Sequence, residues 1–309
     1  MKKIALLALI LSLSAATQAQ KVNLASGKLV RIENFRSQYV EARVVDVWLP
    51  DGYTPSKKYA VLYMHDGQML FDTALTWNHQ EWGIDETVSA LIKKRKIRPC
   101  IVVGVWNGGK LRHCEYFPEK AFESMSKEQQ QSIYSVVRTD NQAVFASKVI
   151  SDLYLKFLVK EVKPYIDSAF STLPDRSNTF IAGSSMGGLI SMYAICEYPA
   201  VFGGAACLST HWTGIYTVQN NPLPDALLDY LEAHLPDPAF HKIYFDYGDK
   251  TLDSLYKPFQ SDADAIMKTK GYSSSNWMTR YFPGEDHSEK AWAKRLNIPL
   301  EFLMKPSSK

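Results

Sequence analysis

Residues 179–188 read TFIAGSSMGG: an apolar stretch that stops at a pair of serines and a pair of glycines, with a helix-compatible run directly behind it. Gly183-Ser184-Ser185-Met186-Gly187 has the G-x-S-x-G spacing of a sharp strand-to-helix turn that lifts a serine Oγ above a sheet. Short patterns of small residues recur by chance, so the meaning of this one depends on its surroundings.

Outward from the turn, short apolar runs alternate with helical spacing. On the C-terminal side the expected order is helix 186–198, strand 201–208, strand 242–247, helix 256–270, strand 277–282 and helix 291–304. On the N-terminal side, 29–35 and 39–49 read as an antiparallel hairpin around Arg36-Ser37-Gln38. Continuous apolar runs at 59–64, 97–106 and 178–183 read as strands covered on both faces, with a helix over 82–94. Phe145, Val149, Leu153 and Phe157, at intervals of four, predict a long helix that Pro164 kinks or ends. The polar segment 107–141 and the segment 209–238 read as insertions rimming a pocket. The pattern predicts one α/β domain: a mostly parallel central sheet with helices on both faces and an N-terminal antiparallel hairpin.

The 309 residues carry 35 basic and 32 acidic side chains, a net charge of +3, which leaves no electrostatic footprint for nucleic acid. Lys2 and Lys3 precede an apolar segment to Ala16, and Thr17-Gln18-Ala19 supplies small residues at cleavage spacing. This predicts a signal peptide over 1–19, a mature chain of 20–309, and export to the periplasm or the extracellular space. The apolar segment is shorter than the roughly 20 residues that span a bilayer, so no membrane association is expected once it is removed. Cys100, Cys196 and Cys207 lie in apolar runs that suit buried thiols; with Cys114 they match no zinc spacing, and no disulfide is expected.

A serine hydroxyl is a weak nucleophile near neutral pH and needs a base, with a third group to orient that base. After a nucleophile elbow these follow in the order acid, then histidine, each on a loop after a late strand. His287, in the turn-rich PGEDH that follows the last expected strand, occupies the place of the base, within expected hydrogen-bond reach of Ser185. His234 and His241 suit structural roles. The loop after strand 242–247 offers Asp253, preferred because it must reach across to His287, and Asp249 as the alternative acid. Backbone N–H groups of Met186 and of Gln68, in His65-Asp66-Gly67-Gln68, would form the oxyanion hole.

Six stretches carry a resemblance: HDGQMLFD from His65, WGIDETV from Trp82, IVVGVWN with the later RHCEY from Arg112, IAGSSMGGLISMYA from Ile181, YFDYGDKTLDSLY from Tyr244, and EDHSEKAWAKRL from Glu285. Together they resemble the esterase family of α/β-hydrolases that includes feruloyl and acetylxylan esterases, enterochelin-type esterases and mycolyltransferases. The resemblance implies Ser185 as nucleophile, His287 as base, an acid in the Asp253 loop, and oxyanion donors at Gln68 and Met186, with no metal or organic cofactor. On that reading Arg112, Glu115, Tyr116, His211 and Trp212 line the rim and bind a small-molecule or oligosaccharide ester. The expected activity is serine ester hydrolysis through an acyl-enzyme, on acetyl or feruloyl esters of plant polysaccharides or oligosaccharides. The alternatives are a siderophore trilactone esterase and a non-catalytic carbohydrate-binding protein on the same scaffold.

Overall fold

A computed structural model describes residues 22–138 and 140–306; the expected signal peptide lies outside the described residues. Eight strands form one sheet: β1 (Lys28–Phe35), β2 (Arg43–Leu49), β3 (Ala60–His65), β4 (Cys100–Val105), β5 (Thr179–Ser184), β6 (Gly204–Leu208), β7 (Lys242–Tyr247) and β8 (Trp277–Tyr281). Their order is β1-β2-β4-β3-β5-β6-β7-β8, antiparallel through β1, β2 and β4 and parallel from β4 to β8. This is the mostly parallel sheet with an N-terminal hairpin that the pattern predicted.

Pleating explains the two-faced core. Successive residues of a strand point to opposite sides, so Val61, Tyr63, Val103 and Ile181 join one hydrophobic cluster, while Leu62, Met64, Val102 and Ala182 join another. The second cluster is covered by α1 (Ile84–Lys93), α10 (Glu289–Arg295) and α11 (Asn297–Leu303). The first is covered by α5 (Ser151–Phe157), α6 (Lys163–Ala169), α7 (Met186–Glu197), α8 (Leu223–His234) and α9 (Lys257–Thr269). α7 is apolar all round and buried from Met186 to Cys196, as a helix must be when neighbours cover every side. It fixes the serine turn against the middle of the sheet.

Three expected elements differ. The segment 107–141 folds into α2 (Arg112–Tyr116), α3 (Glu119–Glu123) and α4 (Lys127–Tyr134), because Cys114, Tyr116, Phe117 and Phe122 enter the larger core between its polar residues. The helix expected from Phe145 starts at Ser151 and passes through a π-turn at Leu158–Val162 just ahead of Pro164. The Lys163 N–H bonds to the Leu158 carbonyl five residues back, which places the proline without breaking the helix. The terminal helix divides at Leu296 into α10 and α11. Pro299 cannot donate to the Arg295 carbonyl and crowds it, so the two halves cannot join. All four cysteines are buried and unbridged.

Candidate active site

The C-terminal ends of the parallel strands supply every polar group of the site. Ser185 follows β5 with φ 56° and ψ −121°, a conformation that few L-residues adopt. Its N–H donates to the Leu208 carbonyl at 2.9 Å, and its own carbonyl accepts from the His211 N–H at 3.2 Å, so neighbouring backbone holds the strained residue in place. Gly183 is required by close approach: a Cβ there would meet the Gly187 carbonyl carbon at 2.7 Å.

His287 follows β8 and Asp253 follows β7. His287 Nδ1 lies 2.6 Å from Asp253 Oδ1, and the His287 N–H donates to Thr251 Oγ1 at 3.0 Å. The other carboxylate oxygen, Oδ2, accepts from the Gly248 N–H at 2.6 Å and from Ser209 Oγ at 2.6 Å. Burial alone would raise the Asp253 pKa, but the bonds from His287, Ser209 and Gly248 outweigh it and hold the carboxyl below the usual range. Asp249, the alternative acid, does not reach His287 and is off the cavity wall, accepting from the Tyr281 hydroxyl at 2.6 Å and the Gly284 N–H at 3.0 Å.

Ser185 and His287 face one cavity of about 680 Å³. Among the described residues no hydrogen bond joins the Ser185 hydroxyl to the imidazole, where the sequence led us to expect bonding range. The hydroxyl instead lies beside the phenol of Tyr256, which is itself 2.7 Å from His211 Nδ1. Serine–histidine bonds of this kind are often open without substrate and tighten when it binds.

Gln68 and Met186 also line the cavity. Each sits in the first turn of its helix, where backbone N–H groups have no intrahelical acceptor. The turn bearing Gln68 is braced by Asp66, which has φ 55°. Its carboxylate is gripped by Arg112 Nε and Nη2, both at 2.7 Å, and by Asn107 Nδ2 at 2.7 Å. Burial opposes ionisation of Asp66, yet the Arg112 charge and these bonds keep its pKa low.

The expected rim residues divide. Arg112 and His211 are on the cavity wall. Glu115, Tyr116 and Trp212 are fully buried off it, and their placement corrects the expectation. Glu115 makes two bonds to Arg43, at 2.8 and 2.6 Å, inside the core. The Tyr116 phenol accepts from the Asp66 N–H at 3.3 Å, and Trp212 donates through Nε1 to Gln260 at 2.9 Å. Arg112, Glu115 and Tyr116 share one face of α2, being three and four residues apart. The long Arg112 side chain lies over the Tyr116 ring, 5.3 Å from its centroid, and reaches past it to Asp66 and the cavity, while Glu115 and Tyr116 stay in the core.

The wall also holds residues that sequence reading passed over. His113 lines the cavity, and its Nε2 donates to the Gly214 carbonyl at 2.7 Å, tying the 107–141 segment to the 209–238 segment. Trp77, 82% exposed, and Tyr216, half-exposed, stand among the lining residues. Burial, with the nearby Arg112 charge, pushes the His211 pKa well down and keeps its ring neutral.

A strained serine at a strand-to-helix turn, a carboxylate-bound histidine on the last loop, and free N–H groups at two helix starts form the layout of an acyl-transfer site. Residues 38–301 match the family model described as "Putative esterase". The chain belongs to this esterase family. It is also similar to the uncharacterized protein YjcH of Bacillus subtilis (strain 168), at 25% identity over 170 residues; the match spans 55% of this chain and 56% of YjcH. Two solved structures share the fold. One, a ferulic acid esterase, has a TM-score of 0.63 and 18% identity, with 90% of this chain and 98% of that one covered. The other, an IroE-like serine hydrolase from Shewanella oneidensis, has a TM-score of 0.65 and 19% identity, with 90% and 80% covered.

Proposed function

We propose that the protein is an exported serine carboxylic-ester hydrolase that works through an acyl-enzyme. The observation that carries the reading is the His287–Asp253 bond at the cavity that Ser185 faces. With Nδ1 bound to the carboxylate, Nε2 of His287 is left to take the Ser185 proton. Substrate entry turns the hydroxyl from Tyr256 toward that nitrogen, and Oγ attacks the ester carbonyl. Charge then develops on the carbonyl oxygen, which the N–H groups of Met186 and Gln68 stabilise. The imidazolium next protonates the departing alcohol, and water, activated by the same base, releases the acid.

The acyl group is proposed to be acetyl or feruloyl, carried on a plant polysaccharide or oligosaccharide. The aromatic faces of Trp77 and Tyr216 at the cavity suit a sugar or phenolic ring. Arg112 is already bidentate to Asp66, which leaves its charge largely satisfied and favours an uncharged ester over a polyanionic siderophore trilactone.

Ser185→Ala tests the reading with p-nitrophenyl acetate and a fluorophosphonate probe. Wild-type protein is expected to turn over the ester and take the label, and the variant to do neither while keeping its near-UV spectrum. Unchanged turnover in the variant would reassign the nucleophile. A wild-type protein inert to both reagents would favour a carbohydrate-binding role. Acetylated xylan, methyl ferulate and a catecholate lactone, compared side by side, separate the substrate classes.

A further inference from the structure

Ser209, on the turn after β6, is fully buried and adopts φ 41°. Its N–H donates to the Asp246 carbonyl at 2.9 Å and to Asp246 Oδ1 at 3.1 Å. Its hydroxyl meets three partners: Asp253 Oδ2 at 2.6 Å, Trp292 Nε1 at 2.9 Å and Arg295 Nη2 at 2.9 Å. An indole N–H and a guanidinium can only donate, and a serine hydroxyl has one proton to give. Both of its acceptor positions are therefore filled by Trp292 and Arg295, and its proton must go to Asp253. The direction of every bond at this junction follows from chemistry alone.

Arg295 is anchored in turn by Asp246, through Nη2 at 2.8 Å and Nε at 3.2 Å. Both are buried. A cation and a second carboxylate thus stand behind the aspartate that holds His287, with one hydroxyl between them.

Resting on the acyl-enzyme reading of the site, we propose that Ser209 is a positioning residue: it relays the pull of Arg295 and Trp292 onto Asp253 Oδ2, so that Oδ1 alone is presented to His287. A hydroxyl made more acidic by two donors is a stronger donor itself, since linked hydrogen bonds polarise one another. It draws electron density toward Oδ2 and fixes the carboxylate plane. Without it, Oδ1 would carry more negative charge and hold the imidazolium proton more tightly. The base form of His287 would then appear only at higher pH.

Ser209→Gly removes the hydroxyl and relaxes the left-handed backbone, which glycine adopts without strain. With p-nitrophenyl acetate, kcat is expected to fall roughly 10- to 100-fold, the range for loss of a hydrogen bond to a charged group. KM should stay within about two-fold, and the acid limb of the kcat/KM profile should rise by about half a pH unit or more. The downfield proton signal of His287 Nδ1–H, read by NMR on the unreacted protein, should shift with it. A folded variant with an unmoved acid limb and an unmoved signal would overturn the relay and leave Ser209 as packing. Trp292→Phe, which deletes one donor into Ser209 while keeping an aromatic ring, should move the limb the same way by less. If the glycine variant does not fold, that limb decides, and no movement would overturn the proposal. Failure of the esterase reading would look different: wild-type protein would not turn over the ester or take the fluorophosphonate label, while the NMR signal would still report the junction.

Discussion

Asp253 and Asp249 lie four residues apart in one loop and bond to different partners, the first to His287 Nδ1 at 2.6 Å and the second to the Tyr281 hydroxyl at 2.6 Å. The two substitutions should therefore separate cleanly. Asp253→Asn is expected to lower kcat by roughly 1,000- to 10,000-fold, because an amide cannot orient the imidazole or stabilise its charged form. Asp249→Asn, which loosens a turn outside the cavity, should cost only a few-fold. Steady-state rates on a short p-nitrophenyl ester check both, and a larger loss at Asp249 would reverse the assignment.

Gly183→Ala should disturb fold and activity together. The added methyl would lie 2.7 Å from the Gly187 carbonyl carbon, so β5 and α7 must separate at the elbow. Overpacking of this kind typically costs about 1–3 kcal/mol. A lowered thermal midpoint accompanied by a fall in kcat larger than the fall in stability is the expected result, since the displaced backbone carries both Ser185 and the Met186 N–H.

The buried histidines make stability depend on pH in one direction. Burial pushes the His113 pKa down to about 3, whereas an unfolded histidine titrates near 6.5. Between those values the unfolded chain binds the extra proton. The contribution is therefore fully present above pH about 6.5 and is lost as pH falls toward about 3. His65, also near 3, and His211 act with the same sign. Urea unfolding at pH 7 and pH 4.5 should show a smaller drop for His113→Asn than for wild type, by about 2 kcal/mol.

Glu115 was expected to touch substrate and instead neutralises Arg43 in the core. Glu115→Ala leaves a buried cation without its partner, which is expected to cost about 3–5 kcal/mol. Denaturant midpoints should fall accordingly, while KM on a small ester stays near the wild-type value. A raised KM at unchanged stability would restore Glu115 to the binding surface.

The strands were legible because continuous apolar runs such as IVVGVW have few other solutions, and with strand ends known, the loops bearing Ser185, Gln68, Asp253 and His287 followed. Sequence could not choose firmly between Asp253 and Asp249, because the choice depends on where the loop chain turns rather than on residue type. Glu115, Tyr116 and Trp212 were misplaced for a related reason: a polar or aromatic side chain beside a site reads the same whether it faces the cavity or the core. The burial of 107–141 was hidden by its polar average, because Cys114, Tyr116, Phe117 and Phe122, which enter the core, are spaced at no regular period within it. Ser209 and Tyr256 belong to types too common to stand out. The available signal was position alone, directly after β6 and directly after the acid loop.

Among the described residues one hydrogen bond, from His113 to the Gly214 carbonyl, buttons together two segments about a hundred residues apart in the chain, alongside the packing of α3 on α8. Engineers seeking new selectivity by grafting one loop from a relative would sever that fastening and leave a polar atom stranded on each side. Exchanges of the two segments as a matched pair, with histidine and carbonyl transferred together, are the ones that should keep the mouth of the cavity intact.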